Sequence, residues 1–243
     1  MKSLRKMDIV YFVKNTAKNP ELIHSVRSVC ENFPYGRIWF LGGCPEGIIP
    51  DCHISIQPIS KIKTKTTANL MKEACNNPLI TDDFILFNDD FFVMKKVTNL
   101  LPRYYSTLNE TAARIKQMYS QPTKYTVLLE RAAEALKEAG CTTFNFDMHV
   151  PMILNKKKML AVMEKFPGIG CKRSLYGNYY KLWRTGVEQK DVKIHGMGAY
   201  VLNSTFVSTD DETFLKGETG RILRKRFVEP CKYEPRLPYY QYL

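Results

Sequence analysis

The chain has 243 residues, with 36 Lys or Arg against 24 Asp or Glu, and a formal net charge of +12. No apolar run approaches the roughly 20 residues that a membrane-spanning helix needs, and apolar residues occur throughout, which argues against a membrane span and against wholesale disorder. The positive charge favours an anionic partner, such as a nucleic acid, an acidic polymer, a phosphorylated small molecule or a membrane surface. The alternative is a solvated surface that only keeps the protein soluble.

The seven cysteines are scattered along the chain and include no C-x-x-C pair. This spacing suits neither a zinc site nor a disulfide framework, so we expect reduced thiols and a cytoplasmic location. The N-terminus has a basic start but no long apolar region, and we expect no signal peptide.

Strand-like and helical patterns alternate over the first 90 residues. This order predicts an α/β fold with a central, mostly parallel sheet flanked by helices. No repeat or linker composition interrupts the chain, so a single domain over 1–243 is expected. The predicted strands are 8–13, 37–41, 53–57 and 83–87, and the predicted helices are 20–32 and 66–75.

The strand at 83–87 ends in an acidic turn. Its residues Phe-Ile-Leu-Phe lack alternation, which is typical of a central strand covered on both faces, and Asn88, Asp89 and Asp90 follow directly. Ligands of open α/β sheets bind at the carboxyl ends of strands, and carboxylate oxygens suit Mg²⁺ or Mn²⁺. The alternative is a turn whose side chains satisfy the local backbone.

The second half of the chain contains a strictly alternating segment at 144–150. Asn145, Asp147 and His149 share one predicted face, and apolar residues occupy the other. A strand-end Asp and His could supply a general base; the alternative is a polar face exposed to water. Further helices are predicted at 109–119, 124–139, 156–165 and 174–183, and strands at 191–195 and 199–202.

A family resemblance rests on the acidic motif. Residues 82–92, Asp-Asp-Phe-Ile-Leu-Phe-Asn-Asp-Asp-Phe-Phe, resemble the corresponding motif of GT-A-type glycosyltransferases, especially small phage-encoded ones. They also resemble the related Stealth-family sugar-phosphate transferases, which build capsules. Asn88 replaces the first acid of a simple D-x-D. The likeness continues in chain order through weaker segments at 7–13, 21–27, 63–75, 148–152, 206–211 and 227–234.

The resemblance implies a GT-A-like (Rossmann-like) fold that holds a nucleotide-diphosphate sugar over the sheet. Mn²⁺ or Mg²⁺ would bind Asp90 first and Asp89 second, with Asn88 in support, and would help the diphosphate depart. His195 would complete the metal shell, as a late His does in some metal-dependent GT-A enzymes; a purely structural His is the alternative.

Several other residues are candidates by position. Asp211, after Asp210, is either a catalytic base or part of the N-terminal cap of a helix at 212–216. Side chains after the first strand and on flanking helices are candidates for the donor site, and each is otherwise an ordinary surface residue. These donor-site candidates are Lys14, Asn15, Arg27 and Asn69.

The sequence therefore predicts a metal-dependent glycosyltransferase with a basic C-terminal extension from about residue 221. The resemblance to phage enzymes implies a hydroxymethylated base in phage DNA as the acceptor, modified in the host cytoplasm, and the basic cluster at 221–226 could follow phosphates. A surface polysaccharide is the competing acceptor. Transfer of a hexose-phosphate, as in Stealth enzymes, is an alternative reaction, and a basic nucleic-acid-binding module is the non-enzyme alternative.

Overall fold

The computed structural model describes residues 3–58, 63–200 and 203–235. The chain divides into two compact units. Unit 1 comprises Met1–Pro58, Phe87–Thr98 and Lys193–Leu243, and unit 2 comprises Ile59–Leu86 and Asn99–Val192. The single domain over 1–243 stays a prediction, because a cluster of contacts is not a test of independent folding.

The elements confirm the predicted α/β class. The strands are β1 (Ile9–Val13), β2 (Ile38–Gly42), β3 (Cys52–Ser55), β4 (Asp83–Asn88), β5 (Phe91–Val93), β6 (Arg103–Tyr104), β7 (Met152–Asn155), β8 (Val187–Glu188), β9 (Lys193–Ile194) and β10 (Phe206–Thr209). The helices are α1 (Pro20–Asn32), α2 (Lys63–Asn76), α3 (Leu108–Tyr119), α4 (Lys124–Glu138), α5 (Lys156–Lys165), α6 (Lys172–Tyr179), α7 (Asp211–Lys216) and α8 (Glu218–Arg226). Within the described ranges, no helix is long and apolar enough to cross a membrane.

The larger sheet has the order β3-β2-β1-β4-β7. In unit 1, β1 pairs in parallel with β2, and β2 pairs in parallel with β3. Parallel strands need a crossover, and α1 provides the one between β1 and β2. In unit 2, β7 runs antiparallel to β4, with Ile153 opposite Ile85. The result is a mostly parallel central sheet flanked by helices, as predicted.

Helix α1 begins as its sequence indicates. Pro20 occupies the first helical position, where its missing N–H costs nothing, and Asn19 caps the helix by accepting from the Leu22 amide at 3.1 Å. Leu22, Val26 and Val29 are fully buried along one face. This face packs α1 into the buried core of unit 1.

A second sheet in unit 1 has the order β5-β10-β9. β10 is antiparallel to β5 and parallel to β9, so Ser208 lies opposite both Phe91 and Lys193. Apolar side chains of β5, β10, α7 and α8 form one buried cluster around this sheet. Its members are Phe92, Met94, Val207, Phe214, Leu223 and Phe227. Residue 221, where the basic extension was expected to begin, lies inside α8.

Two glycines allow the ends of β1 and β2 to approach closely. Gly42 has a φ of +104°, and a Cβ there would lie 2.4 Å from the Val13 carbonyl oxygen. A Cβ on Gly43 would lie 2.3 Å from the Lys14 carbonyl oxygen. The glycine pair that stops β2 is therefore required for the backbone around Lys14 to take its position.

The predicted strand at 144–150 is wrong. In this segment only Phe144 makes a bridge, to Thr107. The segment instead satisfies its backbone through side chains: Asn178 Oδ1 accepts from the Phe144 amide, and Ser174 Oγ accepts from the Phe146 amide, each at 2.9 Å. The alternation still describes burial in part, since Phe146, Met148 and Val150 are buried.

The predicted strand at 199–202 is also not found. Residues 199 and 200 are irregular, and 201–202 lie outside the described residues. The strand of this region is β10, whose four residues are all buried.

Candidate active site

The acidic turn joins β4 to β5 in unit 1. β4 ends at Asn88 and β5 begins at Phe91, so Asp89 and Asp90 form the whole connection between two buried strands. Asn88 is half-buried, and Asp89 is only 6% exposed. A two-residue turn with this burial holds both carboxylates in fixed positions, and each needs a partner to offset its lost hydration.

Asp89 is bound to the start of α1. Its Oδ2 accepts a hydrogen bond of 2.8 Å from Nδ2 of Asn19, whose other side-chain atom caps the helix. Burial raises the pKa of Asp89, although the positive charge of Lys14 and the Asn19 hydrogen bond oppose that rise. Asp89 therefore links the turn to α1.

Asp90 is bound to a lysine that the sequence prediction did not include. Lys193 Nζ lies 2.5 Å from Asp90 Oδ2, and it also donates to the Thr209 carbonyl. The two side chains are only 12% and 16% exposed. Within the described ranges, Asp90 Oδ1 is buried and has no hydrogen-bond partner.

A hydrogen-bonded carboxyl pair, Glu21 and Asp211, lies in the same unit, and of the two only Glu21 is buried. Glu21, 3% exposed in the first turn of α1, accepts from Thr209 Oγ1 at 3.0 Å and is hydrogen-bonded to Asp211. Burial raises the pKa of Glu21 to about 9, and the Asp211 contact adds to the rise. Asp211 also accepts a hydrogen bond from Lys14 Nζ at 3.0 Å. The hydrogen bonds from Glu21 and Lys14 lower the pKa of Asp211. A lowered pKa makes Asp211 a weak base.

The predicted third metal ligand, His195, is hydrogen-bonded to Asp210. Its Nδ1 lies 2.6 Å from Asp210 Oδ2, and its side chain is 68% exposed. Asp210 Oδ1 accepts from the Thr213 amide at 2.7 Å and caps α7, which confirms the capping alternative for Asp210. The hydrogen bond from the Thr213 amide and the contact with His195 lower the pKa of Asp210, although its partial burial acts to raise it.

The donor set does not form a metal site by itself. Among the described residues there is no group of three His, Cys, Asp or Glu side chains that could hold a metal. Lys193 already contacts Asp90 Oδ2 and compensates the charge of that carboxylate. The carboxylates of the turn have the right chemistry for a hard cation, but the surrounding residues do not fit one.

Two predicted donor-site residues of unit 1 have contacts that suggest different roles. Asn15 is exposed and donates from Nδ2 to the Ile56 carbonyl at 3.2 Å, so it connects the end of β1 to the segment after β3. Arg27 makes a bidentate pair with Glu234, at 2.8 and 2.5 Å, and donates to the Phe227 carbonyl at 3.0 Å. Arg27 thus holds the end of the described chain against α1.

In unit 2, His149 is paired with an aspartate that the sequence analysis did not select. Asp191 Oδ2 lies 2.6 Å from His149 Nδ1, and Asp191 Oδ1 accepts from the His149 amide at 2.9 Å. The His149 contacts lower the pKa of Asp191 against the effect of burial. A carboxylate on Nδ1 fixes the proton there and makes Nε2 the basic atom of the ring.

Asp147 has structural contacts. Its Oδ2 accepts from Ser174 Oγ at 2.6 Å and from the Ser174 amide at 3.2 Å, in the first turn of α6. Arg173 lies 3.8 Å from its other oxygen. A carboxylate at a helix N-terminus satisfies an orphan amide and complements the helix dipole.

Asn69, the remaining candidate, is half-buried on α2.

The sequence did contain a signal for the residues that were missed. The segment 191–195 alternates, and its polar positions are Asp191, Lys193 and His195. The metal hypothesis uses His195 alone, although Asp191 and Lys193 share its face in this pattern. Glu21 gave no signal, since a Glu in the first turn of a helix is ordinary.

Known structures share this fold at low sequence identity. The galactosyltransferase LgtC, in complex with donor and acceptor sugar analogues, matches with a TM-score of 0.52 and 12% identity, over 96% of this chain and 98% of that chain. An active-site mutant of LgtC matches with a TM-score of 0.50 and 11% identity over the same shares. No protein-family model and no curated protein matches the sequence.

These likenesses show that the chain has a GT-A fold. At 12% identity they establish the fold and not the reaction. They give no information on phage origin or on a relationship to Stealth enzymes.

Proposed function

We propose that the chain is a glycosyltransferase that takes its sugar from a nucleotide-diphosphate donor. The observation that supports it best is the acidic turn, Asn88–Asp90, at the carboxyl end of a central strand in a GT-A fold. LgtC, whose structure contains donor and acceptor sugar analogues, is similar over 96% of this chain.

The proposed reaction breaks the bond between the anomeric carbon and a diphosphate oxygen. The bonding electrons leave with the nucleoside diphosphate, while an acceptor oxygen bonds to the carbon and gives up its proton. Negative charge therefore develops on the leaving diphosphate, and fixed cations that contact it lower the barrier. In unit 1, Lys14 is paired with Asp211 and Lys193 with Asp90, so each of these cations lies beside a candidate-site carboxylate.

We assign the donor to unit 1, with Lys14, Asn15, Asn88, Asp89 and Asp90 as its contacts. Asp211 is paired with Lys14 and suits positioning of that lysine better than proton removal. In unit 2, His149 is the proposed base, and Asp191 is its positioning residue. Arg27 and Asp147 have structural partners and are not assigned to the reaction.

Metal dependence remains a prediction of the acidic motif. The ligands that the sequence offers to Mn²⁺ or Mg²⁺ are Asp89 and Asp90. The described contacts support it less than the sequence did, because Asp90 is paired with Lys193 and His195 with Asp210.

The acceptor is a separate prediction. A net charge of +12 supports a polyanion, and a hydroxymethylated base in DNA would offer the hydroxyl. Three arginines of α8 have internal partners: Arg221 pairs with Glu218, Arg224 donates to the Phe214 carbonyl and Arg226 to the Met94 carbonyl at 2.6 Å. Lys225 is exposed on the same helix.

A panel of nucleotide sugars tests the proposal. The purified chain is incubated with each donor, with Mn²⁺, with Mg²⁺ or with EDTA, and released nucleotide is measured with and without hydroxymethylated DNA, unmodified DNA and a surface glycan. Release of a nucleoside diphosphate with sugar on the acceptor supports the proposal. Release of a nucleoside monophosphate with sugar-phosphate on the acceptor would instead identify a Stealth-like transferase. Binding to DNA without turnover of any donor would leave only the nucleic-acid-binding module.

A further inference from the structure

The strand pairing of unit 1 positions Lys193 at the acidic turn. β9 carries Lys193, and the register of the β5-β10-β9 sheet sets it opposite Ser208, which is itself opposite Phe91. Phe91 directly follows Asp90. Two strand pairings therefore position the lysine across from the turn, and the Thr209 carbonyl fixes the ammonium from one side.

The burial of Lys193 distinguishes it from the other lysine of this region. Lys14 is 52% exposed and pairs with Asp211, which is 70% exposed. Water competes for both charged groups, so this ion pair contributes little stability. Lys193 and Asp90 are 12% and 16% exposed. A buried ion pair gains little stability over apolar packing, so its presence in a candidate site calls for a functional reason.

An ammonium has three N–H donors, and two of those on Lys193 have described acceptors, Asp90 Oδ2 and the Thr209 carbonyl. One donor of a fixed cation thus remains for an anion beside the turn. Asp90 Oδ1, buried and unpartnered among the described residues, lies on the same carboxylate. The pair presents one donor and one acceptor to a bound molecule.

We propose that Lys193 supplies, at Asp90, the positive charge that the acidic motif was expected to draw from a divalent metal, and that its ammonium contacts the leaving diphosphate. This inference rests on the proposed function. No proton is transferred: the ammonium donates a hydrogen bond to a phosphate oxygen while the electrons of the broken bond move onto the diphosphate. Asp90 orients Lys193 through Oδ2.

The test is nucleotide binding by calorimetry in EDTA, with UDP, GDP and ADP and their monophosphates as probes. Wild type is expected to bind a nucleoside diphosphate without added metal. Lys193→Met should weaken that binding about 10- to 100-fold, the range for one charged hydrogen bond, and leave the monophosphate affinity unchanged. Lys193→Arg should retain most of the affinity. The matched control is Lys216→Met, an exposed lysine of the same unit.

A second arm titrates Mn²⁺ in the absence of nucleotide. Removing the ammonium frees a carboxylate oxygen, so Lys193→Met should bind Mn²⁺ more tightly than wild type does. If wild type binds the diphosphates only when Mn²⁺ or Mg²⁺ is present, the role of Lys193 is overturned even if the variants fail to fold, while the glycosyltransferase proposal stands. If no nucleotide binds with or without metal, the proposed function is overturned as well.

Discussion

Glu21 and Asp211 are hydrogen-bonded to each other through their carboxyl groups, and their pKa values move in opposite directions. Burial first and then Asp211 raise the pKa of Glu21 to about 9, whereas Glu21 and Lys14 lower that of Asp211. At neutral pH, Glu21 therefore stays protonated and donates a hydrogen bond to the Asp211 carboxylate. A buried acid in the first turn of α1 is thereby kept uncharged beside the acidic turn.

This pair predicts how stability depends on pH. An ordinary Glu has a pKa of 4.5, so between about pH 4.5 and 9 the folded chain holds a proton at Glu21 that the unfolded chain releases. Stability then falls as pH rises, by up to about 1.4 kcal/mol per pH unit from this group. Glu21→Gln removes that loss, so its free energy of unfolding relative to wild type should increase from pH 5 to pH 9.

Urea unfolding at several pH values measures this difference. Glu212→Gln, on the exposed surface of α7, is the matched control and should show no such trend. A constant difference between Glu21→Gln and wild type across the range would mean that Glu21 is ionised in the folded chain.

Asp90→Asn tests the acidic turn. The variant keeps the size of the side chain but removes the charge that holds Lys193, so donor turnover should fall by about 100-fold or more, as for loss of one preorganised electrostatic contact. Circular dichroism and thermal unfolding establish that the fold is retained. Asp82→Asn changes an exposed acid of unit 2 and should leave turnover unchanged. Full activity of Asp90→Asn would remove the turn from the reaction.

The His149–Asp191 pair predicts a base and its positioning residue. Asp191→Asn should lower turnover about 10- to 100-fold with little change in donor affinity, because the ring then loses the acceptor that keeps the proton on Nδ1. The ¹⁵N chemical shifts of the ring should report a change of tautomer in that variant. His149→Ala should reduce turnover at least as much.

Asp147→Ala is the comparison for this pair. It removes the cap of α6, so we expect a loss of about 1–3 kcal/mol of stability and unchanged turnover per folded molecule. Unchanged turnover in Asp191→Asn and His149→Ala would leave the proposed reaction without a base in unit 2. A catalytic defect in a stable Asp147→Ala would restore the role that its sequence position predicted.

Salt tests the acceptor. Each phosphate that a basic side chain neutralises releases counterion, so binding to duplex DNA should weaken steeply as salt rises. Lys225→Gln on α8 should reduce that dependence slightly, while Lys158→Gln on α5 serves as a lysine control outside the basic cluster. Transfer to a glycan at any salt concentration, with no transfer to hydroxymethylated DNA, would reject DNA as the acceptor.

The periodic parts of the fold could be predicted from the sequence. Helix α1 begins and ends at the predicted residues because Asn19, Pro20 and a buried apolar face all specify it. β4 was identified from its unbroken apolar run. In contrast, 144–150 alternates like a strand, but its backbone amides donate to the side chains of Asn178 and Ser174. These partners are about 30 residues away in the sequence, and no local pattern predicts them.

The candidate site was predictable only where its residues are adjacent. Asp89 and Asp90 stand next to a recognisable strand, so the turn was found. Their partners come from other elements: Asn19 is the N-cap of α1, and the register of β9 and β10 sets Lys193 beside the turn. An acidic motif indicates a metal ion and a histidine ligand equally well when its cation is a lysine, so the sequence does not distinguish the Lys193 contact from a metal.

The contact between Lys193 and Asp90 joins residues 103 positions apart. Unit 1 is assembled from three segments, and most of unit 2 lies between the second and third. On a ribosome, Asp90 is therefore synthesised long before the lysine that neutralises it, and β5 remains without β10 until residue 209 has emerged. Closing so long a loop is slow compared with forming local helices. A chain that ends before residue 193 would therefore keep the Asn19 partner of Asp89 but leave Asp90 without its lysine, at the edge of an unfinished sheet.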